Sequence, residues 1–408
     1  MYTDRELNEL NQEVYFVDPD FDEKITYKAK PTSELSGNEK NVVIINDKKF
    51  QIVGSANIDN NGYQGFAVAP ITVDYPQGDP NNVAIISAGT VRPAILGGEG
   101  SDGFTDFIAA AGVFDTKNGG SPQTKQAEDF VDYMINVKGY TVTHLSGYSQ
   151  SAYMLKIGAQ FGIPTTVFNG WFLYDSLTDD EKKFMKDNPE LFRNYRKYKD
   201  IRVKLIDGND MEKIGEDFGT IFWVEGDTHE INDWFFDKDG NVLFKDSKSS
   251  VVKMSQIARQ ASLDKWRLFQ LKKKFSTSGG GLSANEQIYL DDSEALLVVE
   301  AASRMSKTIL ESVKEKYQKA IIEAEQLWQK TEQTALNVGS TLSNSEAIEA
   351  LESGGATKQA LTTEPISYYQ EKISQLNAQN TAYDSLASDI KASIAKLVSS
   401  DLELAGQL

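Results

Sequence analysis

The 408-residue chain has no cysteine, so it forms no disulfide and offers no thiolate metal site. Histidine is almost as scarce: His144 and His229 are the only two. Any imidazole base must be one of them. Basic charge is in deficit, with 42 Lys and Arg against 60 Asp and Glu, a net charge of −18. That balance argues against nucleic acid as a partner, because phosphates demand basic patches. It also excludes passive adsorption to anionic membranes. Apolar runs are short, and none approaches the ~20 residues of a membrane span. The stretch Met1-Tyr-Thr-Asp-Arg-Glu-Leu-Asn-Glu9 is polar and acidic, without the basic-then-apolar order of a signal peptide. The expected localisation is therefore synthesis in the cytoplasm and, if the protein is secreted, export without a cleaved signal.

What is present sorts into two styles. Residues 1–250 are rich in aromatics, glycine and short β-branched runs. Asn41–Asn46 and Lys49–Val53 read as a hairpin about an Asn-Asp-Lys turn, and Tyr63–Ala69 as a further strand. Asn82–Ser87 is a short apolar run of the kind buried on both faces. Gln123–Val137 is amphipathic, with Phe130, Tyr133, Met134 and Val137 at helical spacing. Pro164–Asn169 and Ile201–Ile206 read as later strands. Strands alternating with helices predict an α/β fold with a mostly parallel sheet. Residues 251–282 read as a connector ending in the flexible Ser276-Thr-Ser-Gly-Gly-Gly-Leu282.

Residues 283–408 form a separate all-α region. Ala295–Gln333 is nearly free of helix breakers, and Pro365 opens a last helical segment. In that segment Ile366, Tyr369, Ile373, Leu376, Tyr383, Ala387, Ile390, Ile394 and Leu397 form a coiled-coil-like seam, interrupted by Asn380. It fits either a hairpin packed on itself or, since two helices make a thin core, a face covered by partner helices.

The residues that carry chemistry lie within residues 1–250. Tyr140-Thr-Val-Thr143 is a β-branched run, and Ala152–Phe161 reads as helix. Between them stands His144-Leu-Ser-Gly-Tyr-Ser-Gln-Ser151. Strand, sharp turn with serine at the tip, then helix is the layout of a nucleophile elbow. The pattern is Gly147-x-Ser149-x-Ser151, with serine where G-x-S-x-G ends in glycine. Ser149 is the candidate nucleophile, and it needs a base and an anion-stabilising pocket. His144 is fixed within the elbow strand and reads as structural, which leaves His229, in the polar segment Asp227–Asp233, as the base. The acid belongs just after the penultimate strand. Ile201–Ile206 reads as that strand, which makes Asp210 the preferred acid and Asp207 its rival. The Gln150 amide is one candidate oxyanion donor. Thr90, after Ser87-Ala-Gly89, is the other, although on local pattern alone Gly89-Thr90 reads better as a plain turn. The chemistry requires no metal and no organic cofactor.

Three pieces in order carry a family resemblance: Gly62-Tyr-Gln-Gly-Phe-Ala-Val68; Ile85–Thr90 followed by Asp102-Gly-Phe-Thr-Asp106; and Leu145–Ala152. Over about residues 40–240 the chain resembles the class 3 lipases and their Mbeg1-like bacterial relatives, of α/β-hydrolase fold. The resemblance implies lipid-ester hydrolysis and supports Thr90 as oxyanion donor. The family's arginine before Gly-Thr is replaced by Ala88. The helical region resembles the LXG-like targeting modules of Gram-positive type VII secretion, here following the lipase-like part, as in reverse-order lipase effectors. That implies small helical secretion partners on residues 283–408, an immunity protein on the lipase-like part, and an antibacterial role. The segment from Gly170-Trp-Phe-Leu-Tyr174 to Ile201 fits equally a lid over an acyl groove or an ordinary surface helix. A non-catalytic binding or delivery protein on a decayed hydrolase scaffold is the alternative from another class. Acyl transfer or peptidase chemistry would use the same triad.

Overall fold

The computed structural model describes residues 2–58, 63–90, 122–200, 215–277 and 283–405. The expected strand Ile201–Ile206, the Asp102–Asp106 piece and the glycines 279–281 lie outside the described residues. Two compact units divide at Ser262: Met1–Ser262 and Leu263–Leu408.

The first unit opens with helix α1 (Asp4–Glu13), whose start is closed by a reciprocal capping box between Thr3 and Glu6. A minor parallel pair, β1 (Thr26–Tyr27) and β2 (Glu39–Lys40), precedes the main sheet. That sheet has eight strands in simple sequence order. They are β3 (Val42–Ile45), β4 (Lys48–Ile58), β5 (Tyr63–Pro70), β6 (Val83–Ser87), β7 (Val142–Tyr148), β8 (Thr165–Phe168), β9 (Phe192–Lys197) and β10 (Ile221–Val224). β3 to β6 run antiparallel to one another, and β6 to β10 are parallel. The β3–β4 turn places Asn46 and Asp47 both at positive φ, as a two-residue hairpin requires.

From β6 onward the chain advances across the sheet in one direction, so right-handed crossovers set their helices on one face. These are α2 (Pro122–Asp132), α3 (Met154–Phe161) and α4 (Asp179–Asp187). Lys156 of α3 and Glu181 of α4 form a buried ion pair at 2.6 Å. α1 covers the opposite face. Its Leu7 and Leu10, with Val14, join Ile86, Phe168 and Tyr195 in one core, and Asn11 Nδ2 donates to Ser146 Oγ at 2.7 Å. Alternation along β7 thus sends His144 and Ser146 toward α1, and Leu145 and Gly147 toward the crossover helices.

Two strands escape the sequence pattern. β10 is short, and β9, Phe-Arg-Asn-Tyr-Arg-Lys, is wholly buried despite three cationic residues. The segment expected as lid or surface helix is the β8–β9 crossover, with Trp171, Phe172 and Tyr174 buried in it. The expected connector is largely a continuous helix, α5 (Ser250–Thr277). Its first half belongs to the first unit. Ser255 Oγ accepts from the Trp223 amide at 2.9 Å, and Arg259 pairs with Asp4 at 3.2 Å.

The second unit holds α6 (Ala284–Val338), α7 (Asn344–Ser353) and α8 (Glu364–Ala405). α6 and α8 lie antiparallel, tied by Lys391–Glu300 and Lys307–Asp384 ion pairs at 2.8 Å and a Tyr317–Tyr369 stack. Val298, Leu386 and Leu397 remain exposed on this pair. Among the described residues no helix is long and apolar enough to cross a membrane.

Asp4 binds the first unit together. Its carboxylate meets Arg193 of β9 at 3.3 Å, Arg259 of α5 at 3.2 Å and the Tyr195 hydroxyl at 2.6 Å, all buried. Burial alone would raise this carboxyl, but Arg259 and Arg193 outweigh it and hold Asp4 below the ordinary value. Asp4→Ala leaves two buried guanidiniums without their anion. We expect a loss of about 3–5 kcal/mol in urea unfolding at neutral pH. The wild-type contribution is present above the ordinary carboxylate pKa and is lost as pH falls through Asp4's lowered value.

Candidate active site

β7 ends at Tyr148, and the next residue, Ser149, takes φ +54°. A left-handed serine between strand and helix is strained, at roughly 1–3 kcal/mol, and it thrusts the hydroxyl out of the sheet edge. Close packing beneath makes the turn possible. A Cβ on Gly147 would stand 2.4 Å from the Ser151 carbonyl oxygen. Ser151 itself lies at φ −73°, ψ 17°, where any L-residue is comfortable. Its hydroxyl accepts from the Tyr148 amide at 2.7 Å and donates to the Ser87 carbonyl at 2.9 Å. Serine in place of the pattern's last glycine therefore fastens the elbow to the end of β6.

Ser149 Oγ lies 2.8 Å from His229 Nε2, and His229 Nδ1 lies 2.5 Å from Asp200 Oδ2. All three are buried, with Asp200 on the far side of the imidazole from the serine. An ionised carboxylate accepts only, so Nδ1 carries the ring proton and Nε2 is free to accept from the serine hydroxyl. The three residues follow β7, β9 and β10, all at the carboxyl edge of the parallel strands, where open α/β sheets bind ligands.

The chain matches no protein-family model, no curated protein and no solved structure.

The structure brings Ser149 and His229 together and sets Asp200 against the imidazole's other nitrogen. Asp210 and Asp207 lie outside the described residues, and Asp200 occupies the imidazole's second nitrogen. The rule that the acid follows the penultimate strand is obeyed. Among the described strands the penultimate one is β9, and Asp200 stands in the turn directly after Lys197, where its amide donates to the Lys197 carbonyl at 3.1 Å. Phe192 and Tyr195 were the available signal, but the interleaved cations Arg193, Arg196 and Lys197 concealed it.

His144 sits inside β7, 3.0 Å from Thr166 Oγ1 and 3.4 Å from Arg193. Burial, then Arg193, pushes its imidazole well below the usual value, so it stays neutral. Gly147 and Gln150 flank the serine within the elbow. β6 pairs Ser87 with Gly147, and three residues on from each come Thr90 and Gln150. The Gly89 amide donates to the Tyr15 hydroxyl at 3.2 Å, and a Cβ there would meet the Tyr148 carbonyl at 2.6 Å. The Gly89-Thr90 turn therefore lies directly against the elbow strand.

The histidine loop is held from several sides. Lys197 Nζ reaches Thr228 Oγ1 at 2.8 Å and the Asp233 carboxylate at 2.7 Å. The His229 carbonyl accepts from Tyr148 at 2.7 Å and Asn169 at 2.9 Å. Among the described residues no group of three acidic or histidine side chains is placed to hold a metal ion.

With this geometry, Asp200→Asn should leave the fold intact and lower turnover by about 10³–10⁴, because the imidazole loses its tautomer and its counter-charge. Side-by-side kinetics of Asp200→Asn and Asp210→Asn decide between the carboxylates. A larger loss in the Asp210 variant would return the acid to the Gly208 loop.

Proposed function

We propose that the chain is a serine hydrolase of carboxylic esters, with Ser149, His229 and Asp200 as its triad. The observation that carries this is the continuous line of hydrogen bonds from the Ser149 hydroxyl through the His229 imidazole to the Asp200 carboxylate. Ser149 Oγ attacks the ester carbonyl carbon while its proton passes to His229 Nε2. Asp200 steadies the imidazolium that results. The tetrahedral oxyanion is received by backbone amides, for which Gln150 and Thr90 are the candidates. Collapse expels the alcohol, which takes the proton from Nε2. Water then attacks the acyl-serine with the same base assisting.

Lipid esters are the proposed substrates, on the strength of the three sequence pieces that resemble class 3 lipases. The helical unit supports a second part of the reading. Its exposed Val298, Leu386 and Leu397 and its likeness to LXG-like modules favour small helical partner proteins and type VII export as an antibacterial effector, with an immunity protein on the hydrolase unit.

Ser149→Ala should abolish hydrolysis of short- and long-chain esters and labelling by a fluorophosphonate probe, with an unchanged thermal midpoint. Ester hydrolysis that survives this substitution removes the serine from the mechanism. For the helical unit, co-expression of the full chain with small helical proteins encoded beside it should yield a complex that Leu386→Lys weakens. Self-association without any such complex would overturn the export reading.

A further inference from the structure

The His229 side chain is gripped by its two reaction partners, but its main chain lies in a loop that no sheet bond holds at that residue. Its carbonyl oxygen instead receives two side-chain donors from the strand ends on which the site is built. Asn169, the residue directly after β8, donates from Nδ2 at 2.9 Å, and Tyr148, the last residue of β7, donates from its hydroxyl at 2.7 Å. The Tyr148 ring also lies against the imidazole, with centroids 5.4 Å apart.

Asn169 is itself fully fixed. It is completely buried and stands at φ +46°, a conformation asparagine tolerates better than most residues. Its amide donates to the Tyr195 carbonyl at 2.7 Å, and its Oδ1 accepts from the Lys197 amide at 3.0 Å. One carboxamide thus links β8, β9 and the histidine loop. The residue whose backbone it grips is the base, and the strand it grips leads within three residues to Asp200.

We propose that Asn169 and Tyr148 are positioning residues that act through the His229 carbonyl to set the imidazole between Ser149 and Asp200. This rests on the serine-hydrolase reading above. Neither side chain touches the reacting atoms in this role. Each removes freedom from the loop, and a displacement of about 1 Å at a base can cost on the order of a hundredfold in rate. Two donors on one carbonyl also predict non-additivity. Either one alone still satisfies the buried oxygen, whereas losing both leaves it unpaired.

The test uses the full chain and the second-order rate of Ser149 phosphonylation by a fluorophosphonate, alongside kcat and KM on a soluble ester. Asn169→Asp preserves length and the acceptor for Lys197 but turns an oxygen toward the His229 carbonyl. It should lower phosphonylation and kcat by about ten- to a hundredfold with KM little changed. Tyr148→Phe keeps the ring and removes one donor, and should cost about three- to tenfold with an unchanged melting temperature. The double variant should lose more than the product of the two. If Asn169→Asp fails to fold, Tyr148→Phe alone decides. Wild-type phosphonylation and kcat in a folded Tyr148→Phe, or losses confined to KM, overturn the proposal. Absence of Ser149 labelling in the unaltered protein would instead defeat the hydrolase reading itself.

Discussion

The turn at Ser149 is the constraint on which the site depends. A serine at φ +54° cannot be held by its own preference, and the surroundings must over-determine it. Gly147 lets the following turn fold down onto the strand, and the Ser151 hydroxyl ties that turn to both β6 and β7. The departure from G-x-S-x-G is thereby accounted for. The last position needs a small residue because of its closeness to Gly147, but not a glycine's torsional freedom. Serine fits the space and adds two hydrogen bonds that glycine would lack.

A second constraint comes from charge. β9 buries two arginines and a lysine in the middle of a sheet, where an unpaired cation would cost several kcal/mol. Each has a partner: Asp4 and Thr166 for Arg193, the Gly170 carbonyl for Arg196, and Thr228 with Asp233 for Lys197. Apart from Thr166 of the neighbouring β8, these partners come from the first helix, the β8–β9 crossover and the histidine loop. Satisfying β9 therefore specifies where those three segments lie. Replacing such pairs by apolar residues of similar volume is often neutral for stability, so their use here points to register and placement as what they contribute.

The sequence made the centre of this fold legible and its far edge illegible. β3 to β8 announce themselves by β-branched runs and an Asn-Asp turn, and the elbow by serine between strand and helix. His229 follows from scarcity, since His144 lies within a strand. β9 does not announce itself, because a buried strand is recognised by apolar residues and this one is half cationic. Its burial depends on partners up to 189 positions away, such as Asp4 for Arg193, which no local window contains. Asp200, just beyond β9, is hidden for the same reason, and the sequence directs attention instead to Asp210 after Ile201–Ile206, outside the described residues. α5 reads as a connector because its anchors lie outside any local window: Ser255 meets the Trp223 amide 32 positions away and Arg259 meets Asp4 255 positions away.

Asp200 is placed by backbone pairing, and that pairing runs to within three residues of His229. Beyond the formal ends of β9 and β10, the Tyr198 amide still donates to the Val224 carbonyl at 2.9 Å, and the Lys199 amide to the Gly226 carbonyl at 2.8 Å. The two chains therefore stay parallel through Lys199 on one side and Gly226 on the other. Asp200 is the next residue on the first, and His229 is three residues on from Gly226 in the second. Gly226 at φ +159° is extended backbone and continues the pairing. A carboxylate carried on such a ladder has little freedom to approach or retreat, so the 2.5 Å contact with Nδ1 is dictated by main-chain geometry. What the ladder leaves undetermined is the loop from Asp227 to His229, and there the side chains of Lys197, Asn169 and Tyr148 take over. Strand pairing fixes Asp200, a strained turn tied down by the Ser151 hydroxyl fixes Ser149, and His229 between them is held by side-chain hydrogen bonds to its own carbonyl.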